Sequence, residues 1–316
     1  MKSPCFVGID TSNYTSSLAI CTEDGTVVAN LKIPLSVKEG ERGLRQSDAV
    51  FLHTKNMPEL FKSATPYFEE YQPIAIGVSA FPRTQEGSYM PCFLAGKATA
   101  SALGVALNVP TYEFSHQNGH IMAVHYGSGA PAELLREPFI AFHVSGGTTE
   151  VLYVSPNAHD FRCEIVGGTL DMNAGQAIDR VGVAMSLRFP CGPEMERLAL
   201  SLDDERSKGI RINVKDGKCN LSGLENQAIK LFADTGDKAR TAKFVLDFIA
   251  ETLAKLTEQI RARYPSLPVL YGGGVMSCSI LQKRLAGEKV YFSTPPFSSD
   301  NAAGIALLTR RKHMKL

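Results

Sequence analysis

A pattern that occurs twice constrains this chain most. A short apolar run, a turn of small polar residues, a return strand, a third strand and then helices begin at Cys5 and again at Pro138. In the first copy, Cys5–Ile9 leads into Asp10-Thr11-Ser12-Asn13, followed by Ser17–Cys21 and, after Asp24-Gly25, a strand opening at Thr26. In the second, Pro138–Val144 leads into Ser145-Gly146-Gly147-Thr148-Thr149, followed by Glu150–Val154 and Asp160–Ile165. Short apolar runs bounded by turn residues read as strands. A duplicated α/β unit predicts two lobes, each a mixed sheet with flanking helices, facing a central cleft.

Helices fill the intervals. Val50, Phe51, Met57, Leu60 and Phe61 share one face of a helix predicted from Asp48, after a polar loop over 36–48. Ile74–Ser79 reads as a buried strand, Phe93–Leu107 as an alanine- and glycine-rich helix, and Val109–Phe114 as a strand. Further helices are predicted at 174–187, 193–203, 240–263 and 278–286, with a last one from about 300. Between them, Pro268–Tyr271 is a strand ending in Gly272-Gly273-Gly274, and Val290–Phe292 is another.

The two small-residue turns matter chemically as well. Successive backbone N–H groups and hydroxyls in such turns suit phosphate oxygens. The pair, with the glycines at 272–274, points to nucleotide binding. The chain lacks both G-x-x-x-x-G-K-[ST] and G-x-G-x-x-G, which disfavours the P-loop and Rossmann modes.

Charge and cysteines narrow the class. The 33 basic and 32 acidic residues give no global attraction to nucleic acid, so such binding needs a local patch. The obvious basic run, Arg310-Arg311-Lys312-His313, reads as a solvated helix end. Seven cysteines, none as C-x-x-C, suggest a reducing, cytoplasmic setting and no disulfide framework. The apolar start is too short for a signal segment, and no run approaches the roughly 20 residues of a membrane span.

His116-Gln117-Asn118-Gly119-His120 places two imidazoles one helical turn apart, where both can bind one metal. Ser115 can cap the helix that carries them. His125, nine residues beyond His116, points elsewhere. The spacing is that of H-E-x-x-H, but Gln117 stands where a zinc protease needs its general base, so proteolysis is disfavoured. A carboxylate ligand has to come from elsewhere. Asp300 is a candidate, although its place before the last helix also suits an N-cap.

At this point the residues resemble a known family over nearly the whole chain and in its order. Gly8-Ile9-Asp10-Thr11-Ser12 is similar to its GIETS, and His116–His120 to its H-x-E-G-H metal motif. Val144–Thr149 resembles VSGGHT, and Thr169–Arg180 resembles the T-x-D-D-A-x-G-E-A-F-D-K helix. Pro190-Cys191-Gly192-Pro193 is similar to PGGP, Leu221–Leu224 to FSGLK, Gly272–Val275 to AGGV, and Ser299-Asp300-Asn301 to TDN. The family is that of the tRNA threonylcarbamoyladenosine synthases, also called glycoproteases, within the actin-like ATPase (ASKHA) superfamily.

The resemblance implies a two-lobed actin-like ATPase fold, with 1–115 as the N-terminal lobe, 116–299 as the C-terminal lobe and 300–316 packing back on the first. It implies one divalent metal, iron or zinc, on His116, His120 and Asp300, with His143 a candidate fourth ligand. ATP or an acyl-adenylate would lie along Val144, Ser145, Gly146, Gly147 and Thr148. Gly273 and Gly274 would also line the nucleotide, Asp179 would bond its ribose or base, Gly192 would approach it, Cys278 would take the adenine-contacting position, and Asp10, Thr11 and Ser12 are the second-turn candidates. The implied reaction moves threonylcarbamoyl from its adenylate to the adenosine 3′ of a tRNA anticodon. Implied partners are tRNA, a small P-loop ATPase and a paralogous subunit, in a homo- or heterodimer.

The chain departs from the family at Asn13-Tyr14-Thr15, Leu44–Asp48, Ala80–Arg83, Gln176 and Cys278. These changes leave open another acceptor on the same fold, or a non-catalytic partner subunit of a true synthase.

Overall fold

The computed structural model describes residues 2–12, 14–36, 44–203 and 205–316. Asn13 of the first turn and residues 37–43 of the expected loop lie outside the described residues. The chain divides into two compact units. The first takes in Met1–Gly127, Pro156–Arg162 and Pro296–Leu316, and the second Ser128–Ser155 and Cys163–Pro295.

The first unit contains β1 (Ser3–Asp10), β2 (Thr15–Thr22), β3 (Val27–Pro34), α1 (Gln46–Glu70), β4 (Tyr71–Phe81), α2 (Phe93–Leu107) and β5 (Thr111–Ser115). α3 (His116–Ser128) follows β5 directly. The strand order is β3-β2-β1-β4-β5, with β1 antiparallel to β2 and parallel to β4. Alternate residues of a strand face opposite sides. Cys5, Val7 and Ile9 join Leu18, Ile20, Met57, Leu60 and Ala100 in the core beneath α1 and α2. On the opposite face, Gly8 lies under the last helix, where a Cβ would sit 2.4 Å from the Ala306 nitrogen.

The second unit repeats the plan with β6 (Phe139–Val144), β7 (Thr149–Asn157) and β8 (Asp160–Thr169), the tip between β7 and β8 belonging to the first unit. Then come α4 (Ala174–Ala184), α5 (Gly192–Ala199), β9 (Asn213–Lys215), β10 (Lys218–Asn220), α6 (Ser222–Thr235) and α7 (Lys238–Arg263). β11 (Val269–Gly272), α8 (Ser279–Leu285), β12 (Val290–Phe292), α9 (Pro295–Ser298) and α10 (Ala303–Met314) complete the chain. The sheet order β12-β11-β6-β7-β8-β10-β9 contains the order of the first sheet, with β6 in the place of β1. β6 is antiparallel to β7 and parallel to β11, as β1 is to β2 and β4. Phe248, Ile249, Leu253 and Leu256 of α7 join the core formed by Ile140, Phe142 and Val151.

Several expected boundaries move. α1 begins at Gln46 rather than Asp48. α4 stops at Ala184 rather than 187, because Ser186 turns to a φ of 58°. α5 ends at Ala199, short of 203. α3 belongs to the first unit as far as Gly127. The basic run at the C-terminus is not simply solvated. Arg311 lies 5.9 Å from the Phe161 ring centroid, and Lys312 lies 5.2 Å and 5.5 Å from those of Tyr112 and Phe114. Among the described residues, no helix is long and apolar enough to cross a membrane.

Candidate functional site

α3 starts at His116, where the Ser115 hydroxyl accepts a hydrogen bond from the Asn118 N–H at 3.1 Å, so Ser115 acts as the cap its sequence position suggests. His116 and His120 then stand on one face, ring centroids 4.3 Å apart. Between them Gly119 meets α10: a Cβ on Gly304 would lie 1.8 Å from the Gly119 carbonyl oxygen. The two helices therefore touch backbone to backbone. That contact brings Asp300, just ahead of α10, to the histidines.

Asp300 Oδ1 lies 2.9 Å from His120 Nε2 and 3.7 Å from His116 Nε2. Asp300 does not cap α10. The helix starts after Ala302 without a side-chain cap, and Asn301 Oδ1 accepts the Ala303 N–H at 3.0 Å just ahead of it. One ligand atom from each of His116, His120 and Asp300 falls within a 4.8 Å group. Two imidazoles and a carboxylate are a donor set for iron or zinc, so these residues fit a divalent ion. His143 is not in this group; it lies on β6 in the second unit, paired with Gly272 and Glu150.

Asp10 has a different place from the one expected. His116 Nδ1 donates to Asp10 Oδ2 at 2.8 Å, and the Ser79 hydroxyl donates to the same oxygen at 2.7 Å. The Ser12 N–H donates to Asp10 Oδ1 at 2.7 Å. Thr11 is equally spent: its hydroxyl donates to Cys92 O at 3.0 Å and accepts the Gly96 N–H at 3.1 Å. Asp10, Thr11 and Ser12 are all buried, with side chains engaged inside the first unit. Asp10 thus supplies a buried carboxylate that orients the His116 ring.

Electrostatics agree with that role. Burial opposes charge on both Asp10 and His116, but their mutual attraction and hydrogen bond prevail. Asp10 is held below the ordinary carboxylate range, and His116 is raised, with Asp300 adding to the effect. Sequence reasoning misses Ser79, which lies inside a run that reads only as a buried strand.

The small-residue turn of the second unit leaves space around its glycines. The Ser145 N–H donates to Thr148 O at 2.7 Å, and the Thr148 N–H donates to Ser145 Oγ at 3.1 Å, closing the turn after Val144. Cβ atoms on Gly146 and Gly147 would meet nothing within 4 Å, and the same holds for Gly192 and Gly274. Gly175, in the first turn of α4, packs against Gly146, where a Cβ would sit 2.7 Å from the Gly146 nitrogen. The turn thus lies against a helix N-terminus, an arrangement that favours anions. Gly273 has a φ of 98°, and a Cβ there would lie 2.2 Å from Val144 O, so only glycine fits.

Asp179 accepts the Cys191 N–H at 2.8 Å, and burial raises its carboxyl above the ordinary range despite that bond. Cys278 is half-buried between Met276 and α8, its thiol pushed up to about 11 by burial. It is a poor nucleophile in that state.

Residues 71–307 match the family described as tRNA N6-adenosine threonylcarbamoyltransferase (TsaD). The protein of that name from one strain of Thermus thermophilus is 30% identical over 100% of this chain and 94% of its own. Its counterpart from a second strain of the same species is 31% identical over 98% and 93%. Among solved structures, component A of (R)-2-hydroxyglutaryl-CoA dehydratase from Acidaminococcus fermentans aligns with a TM-score of 0.56 at 12% identity, covering 99% and 100% of the two chains. HypF of T. kodakarensis aligns with a TM-score of 0.62 at 14% identity, over 100% of this chain and 48% of its own. These likenesses carry the fold alone, which is the actin-like ATPase fold. With the family model covering most of the chain, and full-length relatives at this identity, the protein belongs to the tRNA N6-adenosine threonylcarbamoyltransferase family.

Proposed function

We propose that this protein is a metal-dependent threonylcarbamoyl transferase acting on tRNA. It takes the acyl group from threonylcarbamoyl-adenylate to the exocyclic amine of the adenosine 3′ of the anticodon: the C–N bond forms, the carbonyl–phosphate C–O bond breaks, and AMP and the amine proton leave. The observation that carries this reading is the grouping of His116, His120 and Asp300 within 4.8 Å in a member of this family. The ion they would hold is iron or zinc. When bound it supplies Lewis acidity toward a carbamoyl or phosphate oxygen.

The residues of the chain have separable tasks. Asp10 keeps the Nδ1 proton of His116, so that Nε2 is the nitrogen available to a metal. Ser145, Gly146, Gly147 and Thr148 offer backbone N–H groups and a hydroxyl to the adenylate phosphate, with room left by the missing side chains at 146 and 147. Asp179, Gly192, Gly274 and Cys278 are the candidates for the ribose and base. By resemblance the partners are a small P-loop ATPase and a paralogous subunit, in a dimeric assembly.

The replaced positions favour a second reading, the same transfer to a different acceptor. Asn13-Tyr14-Thr15 stands where the resemblance puts an acidic pair, Gln176 stands where it puts a glutamate, and 33 basic against 32 acidic residues give no overall pull toward tRNA. The test of the first reading is direct. Purified protein, with its partner subunits, is supplied with threonylcarbamoyl-adenylate and unmodified tRNA. Modified adenosine should appear and should be lost in His120→Ala. Absence of modification under conditions where a Thermus thermophilus relative succeeds would overturn the tRNA acceptor.

A further inference from the structure

Asp300 sits in the segment between α9 and α10, outside both helices. A ligand carried by such a segment needs something to hold it. On the inner side, Asn301 Nδ2 donates to Ser299 O at 2.6 Å and to Phe297 O at 3.3 Å, and Tyr126 packs edge-on against Phe297 at 5.0 Å. The other side is held from β3, an edge strand of the first sheet. Lys32 Nζ donates to Pro296 O at 2.8 Å and to Ser299 Oγ at 3.1 Å. Asn30 Nδ2 donates to the same Pro296 carbonyl at 3.1 Å.

Lys32 is an unusual choice for that task. A lysine on an edge strand is normally free to extend its ammonium into water. Here the side chain is half-buried, its donors reach a carbonyl and a hydroxyl rather than a carboxylate, and the charge lies near enough to Asp300 to interact with it. Giving up hydration for two neutral acceptors is worthwhile only if the geometry those bonds fix has a use.

We propose that Lys32 and Asn30 form a brace that fixes the 296–300 segment, making Lys32 a positioning residue for the Asp300 ligand. The proposal rests on the reading that His116, His120 and Asp300 hold a divalent ion. Two effects of Lys32 on that ion have opposite signs. Its charge alone repels a dication, so removing it tightens binding. Its hydrogen bonds place a ligand, so removing them weakens binding. Loss of outer-sphere support for a metal ligand typically costs about 10–100-fold in affinity. The brace therefore predicts weakening in spite of the lost repulsion.

The experiment uses metal-free full-length protein titrated with Co2+, followed by the d–d absorption that reports the ligand set. Asp300→Ala supplies the reference spectrum of a site without its carboxylate. Lys32→Met should bind about tenfold more weakly or worse, and its spectrum should move toward that of Asp300→Ala. Lys32→Arg, which keeps charge and donors, should return the wild-type spectrum. Ser299→Ala removes one acceptor without touching the sheet and should weaken binding severalfold, which covers the case in which Lys32→Met fails to fold. Wild-type affinity, or tighter, with an unchanged spectrum in both Lys32→Met and Ser299→Ala overturns the brace. If the wild-type protein itself shows no site spectrum, the metal reading falls first and the brace with it.

Discussion

Gly119 and Gly304 meet backbone to backbone, with His116 and His120 on α3 and Asp300 just ahead of α10. A Cβ on Gly304 would sit 1.8 Å from the Gly119 carbonyl oxygen and 2.8 Å from the Ala123 nitrogen. Both obstacles are main chain, so no rotamer change relieves them. Gly304→Ala must push α10 away from α3 and carry Asp300 from His120. We expect a loss of about 3 kcal/mol in denaturant unfolding, at the upper end for overpacking, together with loss of divalent-ion binding. Unchanged stability would show that the helices part easily and that the close contact is not what sets the ligand spacing.

Asp10 and His116 make a second separable relationship. Asp10→Ala strands His116 Nδ1, Ser79 Oγ and the Ser12 N–H, all now bonded to one buried carboxylate. It should cost about 3 kcal/mol or more. Asp10→Asn keeps the volume and one acceptor, so the fold should survive better. It still loses the anion that orients His116, and metal affinity should drop about tenfold or more. Chelator competition on the two variants, set beside their unfolding curves, separates the ligand-orienting role from the packing role.

The repeated strand plan is legible because each copy alternates apolar runs with turn residues over several strands. β9 and β10 are not, being three polar-rich residues each. α6 escapes because only Leu224 and Ala228 along it are buried, too few to mark a face. The histidine pair can be read from its spacing. The candidate carboxylate beside it carries an ambiguous signal, since Asp300 in sequence looks like a cap, whereas α10 starts after Ala302 without a side-chain cap. Asp10 reads as part of a phosphate turn because turn composition does not reveal burial. Lys32 has no local signal at all, because its role depends on a carbonyl 264 residues away.

Glycines of the second unit give a contrast within one region. Gly146 and Gly147 have open space where a Cβ would go, so Gly146→Ala and Gly147→Ala should change stability by no more than about 0.5 kcal/mol. If the adenylate phosphate occupies that space, each should still weaken binding of a non-hydrolysable adenylate analogue by about tenfold. Gly273→Ala is different. It combines a φ of 98° with a Cβ 2.2 Å from Val144 O, and should destabilise the fold itself. Calorimetric titration beside thermal unfolding checks all three. Full-strength binding in both turn variants would remove the 145–148 turn from the nucleotide site.

Asp171 gives a pH dependence whose sign is fixed by its partners. It ties the end of β8 to the start of α6, accepting from the Leu221 N–H at 2.8 Å, the Ser222 hydroxyl at 2.6 Å and the Ser222 N–H at 3.2 Å. It also accepts from the Met172 N–H at 2.6 Å and Asn220 Nδ2 at 3.2 Å. Burial disfavours the anion, but the Ser222 hydroxyl and the N–H groups of Leu221, Met172 and Ser222 outweigh it and hold the carboxyl well below its ordinary value. In the unfolded chain the same group titrates near its ordinary value of about 4. The folded state therefore binds fewer protons through the window below that value. The stability Asp171 contributes is complete above about pH 5 and is lost as the pH falls through the folded value. Asp171→Asn should lower stability at pH 7 by about 1 kcal/mol, a modest figure because the carboxylate is partly solvated. The gap between the two proteins should begin to narrow between pH 4 and about pH 3, as Asp171 of the unfolded wild-type chain takes up a proton that the folded chain does not. Urea unfolding of both proteins at pH 7, 4 and 3 measures that gap. A gap of the same size at all three would assign the effect to packing, not to the anion's hydrogen bonds.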